Sequence, residues 1–370
     1  MTRLSTLLLG TAALALLAGT ATAQIKIGIV GPITGDLAAF GEQLKRGGEM
    51  AVADINAAGG INGQKIEVVV ADDRCDPKEA RSAAEKLANE KVVFVAGHFC
   101  SGSSIPASEV YKEEGILQIS PASTNPVFTE RGYQNVFRVC GRDDQQGMVA
   151  GTYISQHFKG KNVAIVHDKT QYGKGLADET QKQLQKIGIK EVMYEAINPK
   201  EKDYSALVSK LKQANVDVIY FGGYHPEAGL IVKQSREQGF NATLMSGDAL
   251  VDKEFWAIAQ KSGEGTLMTF DADPRKDPRS AAVVQKFKAQ GYEPEGYTLY
   301  TYAAVQIFAQ AATAAKSTKH EDLVKAVKAG SFDTVLGPIK FDAKGDVSNP
   351  AYKVYVWKDG QYDYVDGKGQ

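Results

Sequence analysis

The stretch GHFCSGSSIP, residues 97–106, decides how this chain is read. Before it comes KVVFVA (91–96), an apolar run rich in β-branched residues that reads as a buried parallel strand. After it, 103–114 reads as a helix, with Ser101 or Ser103 as N-cap and Pro106 in the first turn. A strand followed by small hydroxyl residues that open a helix gathers free backbone N–H groups, and the positive end of a dipole, at one point. Such a point takes an anion, and a carboxylate suits it as well as a phosphate. The same letters also describe an ordinary strand-to-helix turn with capping serines, so the stretch alone leaves both readings open.

On either side the chain alternates strands and helices. Strands are expected at 25–30, 66–71, 92–96, 116–120 and 136–139, with helices at 40–57 and 77–89 between them. At Gly141-Arg142-Asp143-Asp144 the rhythm restarts. Strands follow at 163–166, 192–197, 218–221, 244–246 and 267–270, with a helix after His167-Asp168-Lys169 and another capped by Asp203. Helices at 280–290, 297–315 and 320–328 then lead to a β-rich tail at 339–341 and 352–357. Strands spaced by helices of this length make βαβ units with parallel sheets. The expected class is α/β, with two Rossmann-like lobes: 24–142 plus 272–348, and 143–271 plus 349–370. Crossings between them are expected near 141–145, 270–274 and 345–350.

The first residues fix the compartment. Arg3, an apolar stretch over 4–19 and then Ala21-Thr22-Ala23 make a cleavable secretory leader, so 1–23 is expected to be removed. No later run approaches the ~18 apolar residues of a membrane span. With 43 basic and 44 acidic residues the chain is nearly neutral, which offers no electrostatic footprint for nucleic acid or an anionic membrane. Three cysteines in an exported protein imply one disulfide and one thiol left over. Cys75 and Cys100 each sit just past a strand, at what would be neighbouring strand ends, and are expected to pair. Cys140, in VFRVC, reads as a buried thiol.

Several chemistries fail on motif grounds. Gly31–Gly35 lacks the Lys-Ser/Thr of a phosphate loop, and no G-x-G-x-x-G opens a helix. Around Ser101 there is no G-x-S-x-G elbow, although His98, His167 and His225 follow other strands, so a Ser101 amidase or esterase stays as the enzymatic alternative. Asp72, Asp73 and Asp76 lack the Gly and distal Glu of a calcium loop, and the histidines show no ligand spacing. No metal or cofactor is expected. What remains are small hydroxyls and aromatics at strand C-terminal ends, where open α/β sheets bind ligands. Phe40, Ser101, Ala122, Ser123 and Thr124 come from the first half, and Tyr172, Tyr224 and Asp248 from the second. Ser101 and Thr124 offer donors to a carboxylate, and Asp248 an acceptor to an ammonium. That set complements a zwitterionic amino acid.

These residues carry a resemblance. DINAAGGINGQKIEVVVADDRCDPKEA (54–80), the segment GHFCSGSSIPASEVYKEEGILQISPAST (97–124), AIVHDKTQYGKGLAD (164–178) and YFGGYHPEAG (220–229) closely resemble the periplasmic leucine/isoleucine/valine-binding proteins, the type I substrate-binding components of ABC importers. The similarity runs from about Gln24 to the C-terminus and includes the cysteine spacing. It implies two lobes joined by three hinge crossovers that close on one free amino acid, an inner-membrane ABC permease as partner, a periplasmic monomer, and no enzymatic activity. It further implies that Ser101 and Thr124 hold the ligand carboxylate. Ala122, Thr124 and Asp248 would hold the ammonium, and Phe40, Phe99, Cys100, Tyr172 and Tyr224 would line the side-chain pocket. Two positions depart from the leucine-type pattern: Asp248 stands where Glu is usual, and Phe40 where Tyr or Trp is common. Both changes point toward a broader set of small aliphatic amino acids or γ-aminobutyrate. A sensory role in place of transport fits the same residues.

Overall fold

Ile27, Ile29 and Val30 are wholly buried, and a strand apolar on both faces has to lie inside a covered sheet. The computed structural model describes residues 24–348 and 350–367; the expected leader at 1–23 lies outside the described residues. The first part runs β1 (Ile25–Gly31), α1 (Ala38–Ala57), β2 (Ile66–Asp72), α2 (Pro77–Asn89), β3 (Phe94–Ala96), α3 (Ser101–Glu113), β4 (Leu117–Ser120), α4 (Val127–Glu130) and β5 (Val136–Arg138). Its strands form one parallel sheet in the order β2-β1-β3-β4-β5.

The second part runs α5 (Asp143–His157), β6 (Val163–His167), α6 (Gln171–Lys186), β7 (Met193–Ala196), α7 (Ser205–Gln213), β8 (Val218–Gly222), α8 (His225–Glu237), β9 (Thr243–Ser246), α9 (Lys253–Ala259) and β10 (Leu267–Asp271). Then come α10 (Ala281–Ala289), α11 (Thr298–Ala315), α12 (His320–Ala329), a small hairpin of β11 (Phe332–Thr334) and β12 (Gly337–Ile339), and finally β13 (Tyr352–Lys358) and β14 (Gln361–Tyr364). The second sheet has the order β14-β13-β10-β9-β8-β6-β7, with β13 and β14 antiparallel at one edge. The chain passes between the two sheets three times. After β5 it enters α5, which packs on α6; after β10 it returns so that α11 packs on α1; and β13 then pairs with β10.

Local chemistry explains some element ends. Asp76 caps α2 by accepting from the Lys78 and Glu79 N–H groups, with Pro77 at the first position. The helix after the decisive stretch starts two residues earlier than its serines suggest. Cys100 is the N-cap, no side chain caps it, and Pro106 lies inside the helix instead of in its first turn. Gly97 has φ +152°, and a Cβ there would lie 2.4 Å from the Val30 carbonyl oxygen, so the strand exit tolerates only glycine.

Cys75 and Cys100 are bonded, with Cα atoms 5.6 Å apart. Their strands, β2 and β3, are not neighbours as expected: β1 lies between them, and the bridge spans its end. Closing a loop with 25 residues of separation stabilises the fold by about 3–4 kcal/mol in the chain-entropy estimate. Cys140 is a free, buried thiol two residues past the end of β5.

Candidate ligand-binding site

The loop after β4 is shaped by hydroxyl groups. Ser120 Oγ accepts from the Ala122 and Ser123 N–H groups (3.2 and 2.9 Å) and donates to the His98 carbonyl (2.8 Å). Ser123 Oγ donates to the Phe99 carbonyl (2.9 Å), and Arg138 donates to the carbonyls of Ser123 and Asn125. The result fixes Ala122, Ser123 and Thr124 against the start of α3. Ser101 is the first residue of that helix, so its backbone N–H belongs to the set without an intrahelical acceptor. Its hydroxyl accepts from the Asn125 N–H at 3.2 Å. The Thr124 hydroxyl is buried without a hydrogen-bond partner. A buried hydroxyl left unpaired costs about 1–3 kcal/mol.

Asp248 faces this loop from the end of β9. It is 3% exposed, and its Oδ1 accepts from Gln146 Nε2 (2.9 Å) and the Tyr172 hydroxyl (2.8 Å), while Oδ2 accepts from the Tyr297 hydroxyl. Burial pushes its carboxyl up from the ordinary range, and the Tyr297, Gln146 and Tyr172 donors oppose that shift. Gln146 also accepts from the Asp248 N–H (2.9 Å) and the Thr269 hydroxyl (2.7 Å), so the carboxylate is held from two sides. Asp143 connects the two halves of the site. Its N–H donates to the Thr124 carbonyl (2.9 Å), and its side chain feels the charge of Asp248.

Aromatic rings complete the enclosure. Phe40 stacks on Phe99 with centroids 4.1 Å apart, and Phe99 meets Tyr297 edge-on at 5.3 Å and Tyr224 at 6.5 Å. Tyr172 and Tyr224 lie 5.1 Å apart. The halves are drawn together across the site: Phe40 touches His225 (5.2 Å), Gln43 Nε2 donates to Asp252 Oδ2 (2.7 Å), and Asn125 Nδ2 donates to the Gln171 carbonyl (2.8 Å). This is a closed arrangement. A cavity of about 660 Å3 is lined by Leu37, Cys75, Asp168, Pro226 and Tyr224, of which Tyr224 also belongs to the ring cluster.

Of the residues expected from the sequence, Phe40, Phe99, Tyr224 and Tyr172 are joined by ring contacts, and Tyr172 by its hydroxyl to Asp248. Ser101, Ala122, Ser123 and Thr124 lie together where the loop after β4 meets the start of α3 next to Cys100, the Ser123 hydroxyl being taken up by the Phe99 carbonyl. Sequence reasoning missed Asp143, Gln146 and Tyr297. The first two sit on α5, whose buried positions are Asp143, Gln146, Gly147, Ala150, Gly151 and Ile154. Such a helix shows no apolar stripe, and only the acidic pair after Arg142 signalled it. Tyr297, in GYTLYTY, looks like any core tyrosine.

Ser101 has no base beside it. The His98 ring is occupied by Asp73 (Nδ1, 2.6 Å) and Tyr111 (Nε2, 2.9 Å), and it lies wholly buried behind the disulfide loop. A serine whose hydroxyl accepts from a backbone N–H, with no general base in reach among the described residues, is not an activated nucleophile. The described residues also hold no group of His, Cys, Asp and Glu able to bind a metal ion, and no helix long and apolar enough to cross a membrane.

Comparison with known proteins places the chain. The family described as Periplasmic binding protein matches residues 24–361. The Leu/Ile/Val-binding protein homolog 1 of Brucella melitensis biotype 1 is 53% identical over 366 residues, covering 97% of this chain and 99% of the relative. The leucine-, isoleucine-, valine-, threonine-, and alanine-binding protein of Pseudomonas aeruginosa is 42% identical over 334 residues, 90% of each chain. Among solved structures, the branched-chain amino acid transporter substrate binding protein LivJ of Streptococcus pneumoniae, in complex with isoleucine, has a TM-score of 0.85 at 28% identity, covering 92% of this chain and 98% of that one. With that extent of match on top of two largely parallel sheets and three crossovers between them, the chain belongs to the periplasmic binding protein family.

Proposed function

We propose that this protein is the periplasmic ligand-capturing component of an ABC importer, and that its ligand is a branched-chain or other small aliphatic amino acid. One observation carries the reading: the N–H-rich start of α3 with Ser101 lies on one side of the site, and the buried carboxylate of Asp248 lies on the other. A free amino acid has the matching opposite ends. Ser101 and Thr124 hold the carboxylate, Ala122, Thr124 and Asp248 the ammonium, and Phe40, Phe99, Cys100, Tyr172 and Tyr224 surround the side chain. The lobes, 24–142 with 272–348 and 143–271 with 349–370, close as a hinge around the ligand, and the closed monomer is what an inner-membrane permease recognises. The leader at 1–23 directs export.

A second reading, a pocket for a wider set of amino acids or γ-aminobutyrate, is favoured by the length of the acid. Aspartate at 248 is one methylene shorter than glutamate, which leaves more room between the anionic wall and Ser101, and a ligand whose amine lies farther from its carboxylate uses that room. A thermal-shift panel of L-leucine, L-isoleucine, L-valine, L-alanine and γ-aminobutyrate separates the two. A ligand at about 100 times its Kd adds roughly 2.7 kcal/mol of stability and raises the melting temperature. The largest shift is expected from an aliphatic α-amino acid; a larger one from γ-aminobutyrate favours the second reading, and no shift from any of the five overturns both.

A further inference from the structure

We propose that Asp143 is a second carboxylate of the ammonium subsite and that ligand capture drives a proton off it into solvent. The proposal rests on the amino-acid reading above and assigns a residue and a coupled proton that reading does not contain. Asp143 is wholly buried, and neither of its carboxyl oxygens has a hydrogen-bond partner. It stands at the first position of α5, its N–H on the Thr124 carbonyl. The Thr124 hydroxyl beside it is also unpartnered, although near enough to ease the ionisation of the acid. Two carboxyl oxygens beside one hydroxyl, which can donate to only one of them, leave acceptor capacity for a donor-only group, and an ammonium is such a group.

The charges around Asp143 decide what takes up that capacity in the absence of ligand. Asp248, on the segment after β9, and Asp144, on its own helix, oppose its ionisation; Arg138, on β5, favours it. Arg138 is already paired with Asp346 at 2.6 Å, so it offers only part of its charge. The remaining titratable neighbours are Tyr172 on α6, Tyr220 on β8, Tyr224 and Tyr352, and the Cys140 thiol, and burial pushes all of them up so that they stay neutral. Asp271, raised to about 6 by burial, interacts with Asp248 and keeps its own donors, the Gly141 and Ala351 N–H groups. Burial and the Asp248 charge together hold the Asp143 carboxyl well above its ordinary value. Two carboxylates sharing a dry site with no free cation keep a proton between them. An incoming ammonium supplies the missing positive charge, and the proton passes from the Asp143 carboxyl to buffer. No covalent bond to the ligand forms.

Since the ligand prefers the deprotonated site, affinity rises with pH until the acid is already ionised in the free protein, and is weakest in acid. The test is calorimetric titration of L-valine in phosphate and in Tris at one pH, where the dependence of heat on buffer ionisation enthalpy counts protons. We expect close to one proton released per L-valine, with affinity gaining up to about tenfold per pH unit from the ordinary carboxylate range upward until the acid is ionised in the free protein. Asp143→Asn should release almost none and bind with a flat pH profile. Infrared spectroscopy of the wild type provides a measurement independent of the variant's folding: the absorption of a protonated carboxylic acid should be lost on adding L-valine. L-valine binding without proton release, an infrared band unchanged by ligand, or equal release by wild type and Asp143→Asn each overturns the inference. Absence of any L-valine heat from the wild type overturns instead the reading of the site on which it rests.

Discussion

Asp248→Asn is expected to weaken amino-acid binding by about 2–5 kcal/mol, a rise in Kd of roughly 30-fold to several thousand-fold. The substitution changes charge and almost nothing else. Asparagine keeps one oxygen for Gln146 and Tyr172, and its amide can donate to the Tyr297 hydroxyl in place of accepting from it. The fold and the closed contacts through Gln43 and Asn125 should therefore survive. What is lost is the negative end of the field across the site, in a place from which water is excluded, where an ion pair is strongest. Calorimetry on the variant, with circular dichroism to show that it folds, reads the effect directly. A change in Kd below threefold would show that the ammonium is held elsewhere.

The second large effect concerns the crossovers. Asp346 is 4% exposed and accepts from Arg138 Nε (2.6 Å), Arg142 Nη1 (2.8 Å) and the Thr129 hydroxyl (2.9 Å). Arg138 and Arg142 flank the first passage between the sheets, and Asp346 precedes the third. The same Arg138 pins the carbonyls of Ser123 and Asn125 on the ligand loop. Asp346→Ala leaves a wholly buried guanidinium without its carboxylate, and breaking one side of such a pair costs about 3–5 kcal/mol. Denaturant unfolding should show that loss, and ligand affinity should fall with it because the loop around Thr124 loosens. Lys182→Ala, which removes an exposed partner of Glu179, serves as comparison and should cost less than ~1 kcal/mol. Equal, small losses in both variants would mean that the buried cluster does not anchor the crossovers.

The parts of the fold that were legible in the sequence are those whose chemistry is local. The helix at Pro77–Asn89 is readable to the residue because its start is local: Asp76 caps the first turn and Pro77 opens it. The alternation of β-branched runs with helices predicted the parallel strands of both sheets, and strand C-terminal ends pointed to the proposed ligand residues. The rest depends on partners distant in sequence. Helix α3 begins early because the disulfide and the Gly97 turn set its entry, not a serine cap. The tail shifted for the same reason: Gly337–Ile339 is a strand through its pairing with Phe332–Thr334, and Gln361–Tyr364 through its pairing with β13. Tyr297 reaches Asp248 only because the chain crosses back between the sheets, and Gln146 comes from a helix whose small buried residues hide it. Periodicity finds layers; it does not find which residues meet across a closed cleft.

One measurement addresses the central claim that opposite ends of a free amino acid are held by opposite walls of the site. L-valine, L-valinamide and N-acetyl-L-valine share a side chain, and the last two each lack the charge at one end. Titrated calorimetrically into the intact protein, L-valine should bind, while blocking either end should abolish detectable binding. Binding of either blocked compound within about tenfold of L-valine would contradict the account.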